Sequence, residues 1–170
     1  MRNDILKLFG VLAVLASRIT MEIIIFIGIQ ATGKSTFYKD HFFDTHVRIN
    51  LDMLKTNNRE KLLISACLEG KQPFVIDKIN HTIKSREKYI TLAKENKFKA
   101  IAYYFQSKVA DSIVRNDKRN NEQKIPEIAI KGTYNKLELP NYSEGFDKIF
   151  YVKINENKFI IEEWNETEHG

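Results

Sequence analysis

Ile23-Ile24-Ile25-Phe26-Ile27 runs without a break into Gly28-Ile29-Gln30-Ala31-Thr32-Gly33-Lys34-Ser35-Thr36, and the reading of this stretch decides the fold. Consecutive apolar residues are the pattern of a strand covered on both faces, and with Glu22 they predict a strand over 22–27. The residues behind it have the spacing G-x-x-x-x-G-K-[ST], a phosphate loop set between a strand and a helix. Such a loop must stop the strand, wrap a triphosphate with backbone N–H groups and restart as a helix aimed at the phosphates. Gly28 and Gly33 permit that path, because a side chain at either place would obstruct positive φ angles or a close backbone approach. The N-terminus of the next helix adds partial positive charge. Lys34 is expected to reach the β and γ phosphates and the Ser35 hydroxyl to ligate Mg²⁺. Gly28, Ile29, Gln30, Ala31, Thr32, Gly33, Lys34, Ser35 and Thr36 therefore form the expected nucleotide cradle, with ATP and Mg²⁺ as cofactors.

Working outward, apolar runs alternate with helical patterns. A helix is expected from Lys34 to about His41, a short strand over Val47–Asn50, a helix over Arg59–Glu69 closed by Gly70, and a strand over Pro73–Asp77. There follow a helix from about Ser85 to Asn96, a strand over Lys99–Phe105, and helices from Val109 to about Asn120 and from Pro126 to about Lys136. Phe146–Ile154 and Lys158–Glu162 read as a closing pair of strands around Asn155-Glu156-Asn157. Alternation of this kind implies an α/β fold of the P-loop NTPase and kinase class, a mostly parallel central sheet flanked by helices. In such sheets ligands sit at the carboxyl ends of the strands, which gathers Gly28–Ser35, Asp52 and Asp77–Asn80 around one crevice.

The chain has 170 residues, 43% of them hydrophobic, enough for one packed domain. No Gly/Ser-rich linker, low-complexity tract or repeat divides it. Its net charge of +5 favours an anionic partner, for which ATP alone would suffice. Cys67 is the one cysteine and sits in an apolar helical stretch; it reads as core packing in a reducing compartment, which makes the cytoplasm the expected location. Leu8–Ala16 resembles a short signal core, yet it is too short to span a bilayer, and no membrane association is expected. Residues 1–20 are read as an N-terminal extension, either a short helix or the product of an upstream start with Met21 the natural beginning. Residues 21–170 are read as a single domain with a helical lid at about 109–124.

Three further features carry chemistry. Asp77 ends the run Phe74-Val75-Ile76, where a phosphate-loop enzyme holds Mg²⁺ directly or through water; a helix cap or turn aspartate is the plainer alternative. Asp52 lies just beyond Val47–Asn50 and is placed to face a γ-phosphate from the acceptor side, as a base for an acceptor hydroxyl; from spacing alone an N-cap role is equally open. Arg115 and Arg119 are four apart in Arg115-Asn116-Asp117-Lys118-Arg119, so on a helix both would emerge on one face and could clamp phosphate oxygens. An isolated pair of this spacing is more often a solvated helix face.

Gly28–Thr36, Asn50-Leu51-Asp52, Asp77-Lys78-Ile79-Asn80, Ser85-Arg86-Glu87-Lys88-Tyr89, Arg115–Arg119, and Ile125-Pro126 running to Glu144-Gly145-Phe146-Asp147 together resemble the 5′-hydroxyl polynucleotide kinase family. The match spans about residues 21–155. It implies an ATP-binding kinase module of the P-loop, AAA-type class that moves the γ-phosphate of ATP to a 5′-hydroxyl end of RNA or DNA, as in nucleic acid repair. By that resemblance Lys34 and Ser35 serve ATP and Mg²⁺, Asp52 is the general base, Arg115 and Arg119 are the lid clamp, and Asp77 and Asn80 flank the acceptor. Lys55, Asn80 and Arg86 are the expected acceptor-binding residues.

The chain departs from the family pattern at Lys78-Ile79, where Asn-Thr is more typical, and at Lys55, a point charge where some members carry an arginine fork. It holds no segment resembling the phosphatase or ligase modules often fused to such kinases, so phosphorylation alone is expected of it. Two other readings share the motifs: a P-loop kinase for a small sugar, nucleoside or antibiotic acceptor, and an ATP-binding module that is not a kinase and has no use for Asp52. An open basic groove from Lys55, Lys78, Lys84, Arg86 and Lys88 would favour nucleic acid; a solvated lysine face explains the same residues.

Overall fold

The structure is a computed structural model that describes residues 20–169. The expected N-terminal extension, Thr20 apart, lies outside the described residues. β1 (Glu22–Ile27) is central, paired in parallel with β3 (Phe74–Ile76) on one side and β4 (Lys99–Phe105) on the other. β2 (Val47–Ile49) adds to β3 and β5 (Lys148–Asn155) to β4, both in parallel, and β6 (Lys158–Glu163) closes the sheet antiparallel to β5. The order is β2-β3-β1-β4-β5-β6, the mostly parallel sheet expected from the alternation.

The central strand explains why its sequence is apolar throughout. Ile23, Ile25 and Ile27 pack into the larger core cluster with Ile64, Leu68 and Tyr89, while Ile24 and Phe26 pack on the opposite face with Phe37, Phe42 and Phe105. Alternate side chains point to opposite faces, and helices cover both, so neither set meets water. The aromatic face is held by edge contacts such as Phe26 to Phe105 at 5.1 Å and Phe37 to Phe105 at 5.2 Å, geometries that ring quadrupoles favour. Cys67 is buried in this core, and burial pushes its thiol pKa up, in keeping with a packing role.

The helices are α1 (Lys34–His41), α2 (Leu51–Leu54), α3 (Asn57–Glu69), α4 (Ile83–Glu95), α5 (Val109–Asp117), α6 (Glu127–Tyr134) and α7 (Glu166–His169), with 3₁₀ turns at Asn121–Gln123 and Tyr142–Glu144. Among the described residues no helix is long and apolar enough to cross a membrane.

Several boundaries differ from expectation, and three of them move functional candidates. β2 ends at Ile49, because Asn50 leaves the strand to cap α2, its side chain accepting from Met53 N at 3.0 Å. Asp52 thus sits in the first turn of a short helix. α4 starts at Ile83, two residues early, because Thr82 and Ser85 form a reciprocal capping box. α5 stops at Asp117, so Arg115 is in its last turn and Arg119 lies beyond it; the two do not share a helix face. The last pair of strands is a hairpin with register Asn155↔Lys158, and Glu156 and Asn157 at φ 49° and 61° make the two-residue turn that matches strand twist.

Candidate active site

The loop between β1 and α1 follows the path its glycines allow. Gly28 has φ +147°, and a Cβ there would lie 3.1 Å from both Cβ and the carbonyl oxygen of Phe105. Gly33 has φ +94° at the N-cap of α1, where a Cβ would meet Ile154 and Phe159 at 3.1 Å. The loop is braced from neighbouring strand ends: Gly28 N donates to Ile79 O at 3.1 Å, and Ile29 N donates to Ser107 Oγ at 3.2 Å. Two later elements reach it as well. Arg115 Nε donates to Ala31 O at 2.8 Å, and Gln30 Nε2 donates to Thr133 Oγ1 at 2.9 Å.

Lys34 is buried and folded back on the loop's own carbonyls, its Nζ donating to Gly28 O at 2.8 Å and Ile29 O at 2.5 Å. Burial pushes its pKa down to about 7; the Asp77 carboxylate works against that and Arg119 adds to it. An ammonium held so poorly is set to gain from incoming phosphate charge. Ser35 Oγ donates to Asp77 Oδ2 at 2.9 Å, so the two expected metal ligands are together. Asp77 is buried and shares Oδ2 with Arg48, whose Nε donates to it at 2.8 Å.

A cavity of about 690 Å³ opens beside this loop. Gln30 through Thr36 form its donor side; Asn50, Asp52 and Asp77–His81 line it from the ends of β2 and β3, Lys84 and Lys88 from α4, and Arg119 from the segment after α5. Asp52 is exposed at this wall. The carboxylate and the phosphate loop therefore border one space. Arg119 reaches the cavity because the loop carrying it is clasped at its base: Asn116 Nδ2 donates to Ile125 O at 2.8 Å, and Ile125 N donates to Asn116 Oδ1 at 3.0 Å.

The acceptor-side expectations fare worse. Arg86 is fully buried, with Nε and Nη2 each donating to Glu144 at 2.7 Å and Nη1 donating to Asn80 O and Glu138 O; all three guanidinium nitrogens are engaged within the core, and it does not line the cavity. Position 86 falls on the buried face of α4 with Tyr89, Ile90 and Ala93. Asn80 lines the cavity, but its side chain is buried and donates to Phe26 O at 2.8 Å, so it ties β3's end to β1. Lys55 is an exposed left-handed C-cap of α2 at φ 68° and does not line the cavity.

Lys78 does line it, and so does Lys88, but both ammonium groups pair with Glu60, at 3.1 and 3.2 Å. Glu60 also accepts from the Tyr89 hydroxyl. Opposed by its burial, the hydrogen bonds and charges of Tyr89, Lys78 and Lys88 still hold the Glu60 carboxyl below its ordinary value, while burial and Glu60 raise the Tyr89 phenol. The proposed basic groove is thus three lysines, two of them shared with a buried carboxylate, rather than five free cations.

The residues suit a triphosphate with its cation. The glycine path leaves room that side chains would fill, Lys34 awaits a better partner, and Ser35 with Asp77 offers hard oxygen donors. Among the described residues no three His, Cys, Asp or Glu side chains gather to hold a metal. Mg²⁺ takes one or two protein oxygens and completes its shell with phosphate and water.

No family model matches the chain. It is 27% identical over 150 residues to the bifunctional polynucleotide phosphatase/kinase of Schizosaccharomyces pombe, covering 85% of this chain and 36% of that protein. It is 30% identical over 151 residues to the putative bifunctional polynucleotide phosphatase/kinase of Acanthamoeba polyphaga mimivirus, covering 84% of this chain and 35% of that one. The chain is a polynucleotide kinase-like P-loop module. It spans about a third of the length of these curated relatives. Its fold is shared with a gluconokinase from Sinorhizobium meliloti at a TM-score of 0.55 and 16% identity, covering 80% of this chain and 84% of that one.

Within this polynucleotide kinase-like module, the residues that sequence reasoning missed are the supporting ones. Glu60 occupies the helical face of Ile64, Cys67 and Leu68, a spacing that marks a carboxylate turned inward and in need of partners. Arg48 interrupts the apolar strand Val47-Arg48-Ile49, another charge that a buried sheet must pair. Ser107 and Asn116, both buried, carried no signal beyond being small polar residues.

Proposed function

We propose that this module transfers the γ-phosphate of ATP to a 5′-hydroxyl end of RNA or DNA, acting as a phosphotransferase with an alcohol acceptor. The observation that carries this reading is that Asp52 lines the same cavity as Lys34 and Ser35: a nucleotide-binding module without transfer chemistry has no need of a carboxylate there. The backbone of Gly28–Thr36 binds the phosphates, and Lys34 leaves the loop carbonyls for the β and γ oxygens. Ser35 and Asp77 would hold Mg²⁺, which would supply charge neutralisation on the phosphates. Asp52 accepts the proton of the acceptor hydroxyl as that oxygen attacks phosphorus and the bond to the β-phosphate oxygen breaks. Arg119 stabilises charge on the transferring group, and Arg115 acts one step back by holding the loop at Ala31 O.

On the acceptor side, Lys78, Lys84 and Lys88 meet backbone phosphates of a nucleic acid end. Residues 21–170 act as one domain with 109–124 as its lid, working in the reducing cytoplasm. A small-molecule acceptor is the second reading, favoured by Glu60, which neutralises part of the lysine charge a polynucleotide would use. Asp52→Asn tests the assignment of the base. Affinity for an ATP analogue is expected to stay within about twofold, while acceptor phosphorylation falls by about 10²–10⁴; unchanged phosphorylation would remove Asp52 from the mechanism.

A further inference from the structure

Arg48 lies in the middle of β2, the edge strand of the sheet, and its guanidinium spans the two oxygens assigned to the cation. Nε and Nη2 donate to Asp77 Oδ2 at 2.8 and 2.5 Å, and Nη2 donates also to Ser35 Oγ at 2.9 Å. The proton of Ser35 is directed to Asp77. Ser35 turns one of its two lone pairs toward Arg48, on the same oxygen that a divalent cation would approach. A guanidinium and a divalent cation at bonding distance from one hydroxyl repel, strongly so where Asp77 is only 2% exposed.

We propose that Arg48 is a built-in counter-cation of the donor site and determines its demand for divalent metal. In the nucleotide-free chain it neutralises the buried Asp77 and satisfies Ser35, and it withdraws from Ser35 when a divalent cation arrives with the nucleotide. Withdrawal is feasible. The Arg48 side chain is 25% exposed, among the described residues β2 has β3 as its one strand neighbour, and the aromatic face of Tyr38, 5.5 Å from the guanidinium carbon, gives the cation a second resting contact. The arrangement also disfavours a divalent cation bound without nucleotide, because nothing then offsets the displaced charge.

The inference rests on reading Gly28–Thr36 as an ATP and Mg²⁺ site, and the test separates the two. Mn²⁺ serves as the probe, its binding to the full chain followed by electron paramagnetic resonance in the presence of a non-hydrolysable ATP analogue. Binding of the analogue alone is measured in parallel in chelator. Arg48→Gln keeps hydrogen-bonding capacity and removes the charge; Mn²⁺ should bind it about tenfold or more tightly than it binds the wild type. Arg48→Lys keeps a charge without the fork and should fall between the two. Equal or weaker Mn²⁺ binding in Arg48→Gln overturns the proposal and makes Arg48 a permanent partner of Asp77. If Arg48→Gln fails to fold, Arg48→Lys decides on the same criterion, tighter binding than wild type supporting the proposal and equal or weaker binding overturning it. Failure of the wild type to bind the analogue under either condition instead contradicts the ATP reading.

Discussion

Lys34 dominates the pH behaviour expected of the site. Burial lowers its pKa in the nucleotide-free fold from the ordinary 10.5 to about 7, so the folded chain binds fewer protons than the unfolded one between those values. The cost of burying the ammonium is therefore fully present below about pH 7 and is relieved as pH rises toward 10.5; this residue's contribution to stability increases with pH across that window. Phosphate oxygens reverse the preference. Nucleotide binding at pH 8 should take up close to one proton per site, measurable by calorimetry in buffers of different ionisation enthalpy, and Lys34→Met should abolish the uptake. Arg86 makes the opposite case, a motif residue whose work is structural. Arg86→Ala leaves Glu144 as a buried uncompensated charge and should cost about 3–5 kcal/mol in urea unfolding, whereas a role at the acceptor would show as weaker substrate binding at unchanged stability. Lys34, Ser35 and Asp77 were legible because a fixed spacing after a strand defines them. The direction of Arg86 is set by the buried face it shares with Tyr89, Ile90 and Ala93, and the partner such a charge needs there, Glu144, lies far off in the sequence.

At the scale of elements, Arg115 and Arg119 show how two residues can come to one region without sharing an element. Arg115 and Arg119 both serve the cavity region, yet α5 ends between them, and what presents Arg119 is the Asn116–Ile125 clasp. Helical periodicity extends across Lys118 and Arg119 in the sequence; the clasp competes with it and wins, since it satisfies a buried side-chain amide at both its polar atoms. The two arginines should therefore separate by kinetics. Arg119→Ala should lower kcat by at least about tenfold with little change in nucleotide affinity, the result for a group acting on transition-state charge. Arg115→Ala should weaken nucleotide binding, because the brace on Ala31 O is lost. Single-turnover kinetics with a fluorescent ATP analogue distinguishes these outcomes, and the reverse pattern would exchange the two roles.

Across the whole molecule, the sheet was legible because a parallel strand covered on both faces needs a continuous apolar run, and Ile23–Ile27, Phe74–Ile76 and Ala100–Phe105 supply such runs. The three-residue strand β2 and the four-residue helix α2 lie below the length at which periodicity speaks, and there local capping by Asn50 decided the boundary and so the setting of Asp52. The donor half of the site follows from this frame. The acceptor half depends on tertiary pairing, Glu60 with Lys78 and Lys88 and Arg86 with Glu144, which no spacing encodes. The proposed function requires one cavity to join an ATP donor site to a nucleic acid acceptor. Its most direct test is incubation of the chain with γ-labelled ATP, Mg²⁺ and either 5′-hydroxyl RNA and DNA oligonucleotides or a panel of small hydroxylated metabolites. Label transferred to the 5′ ends of oligonucleotides, and lost in Asp52→Asn, is the predicted result; label found on small metabolites alone would contradict it.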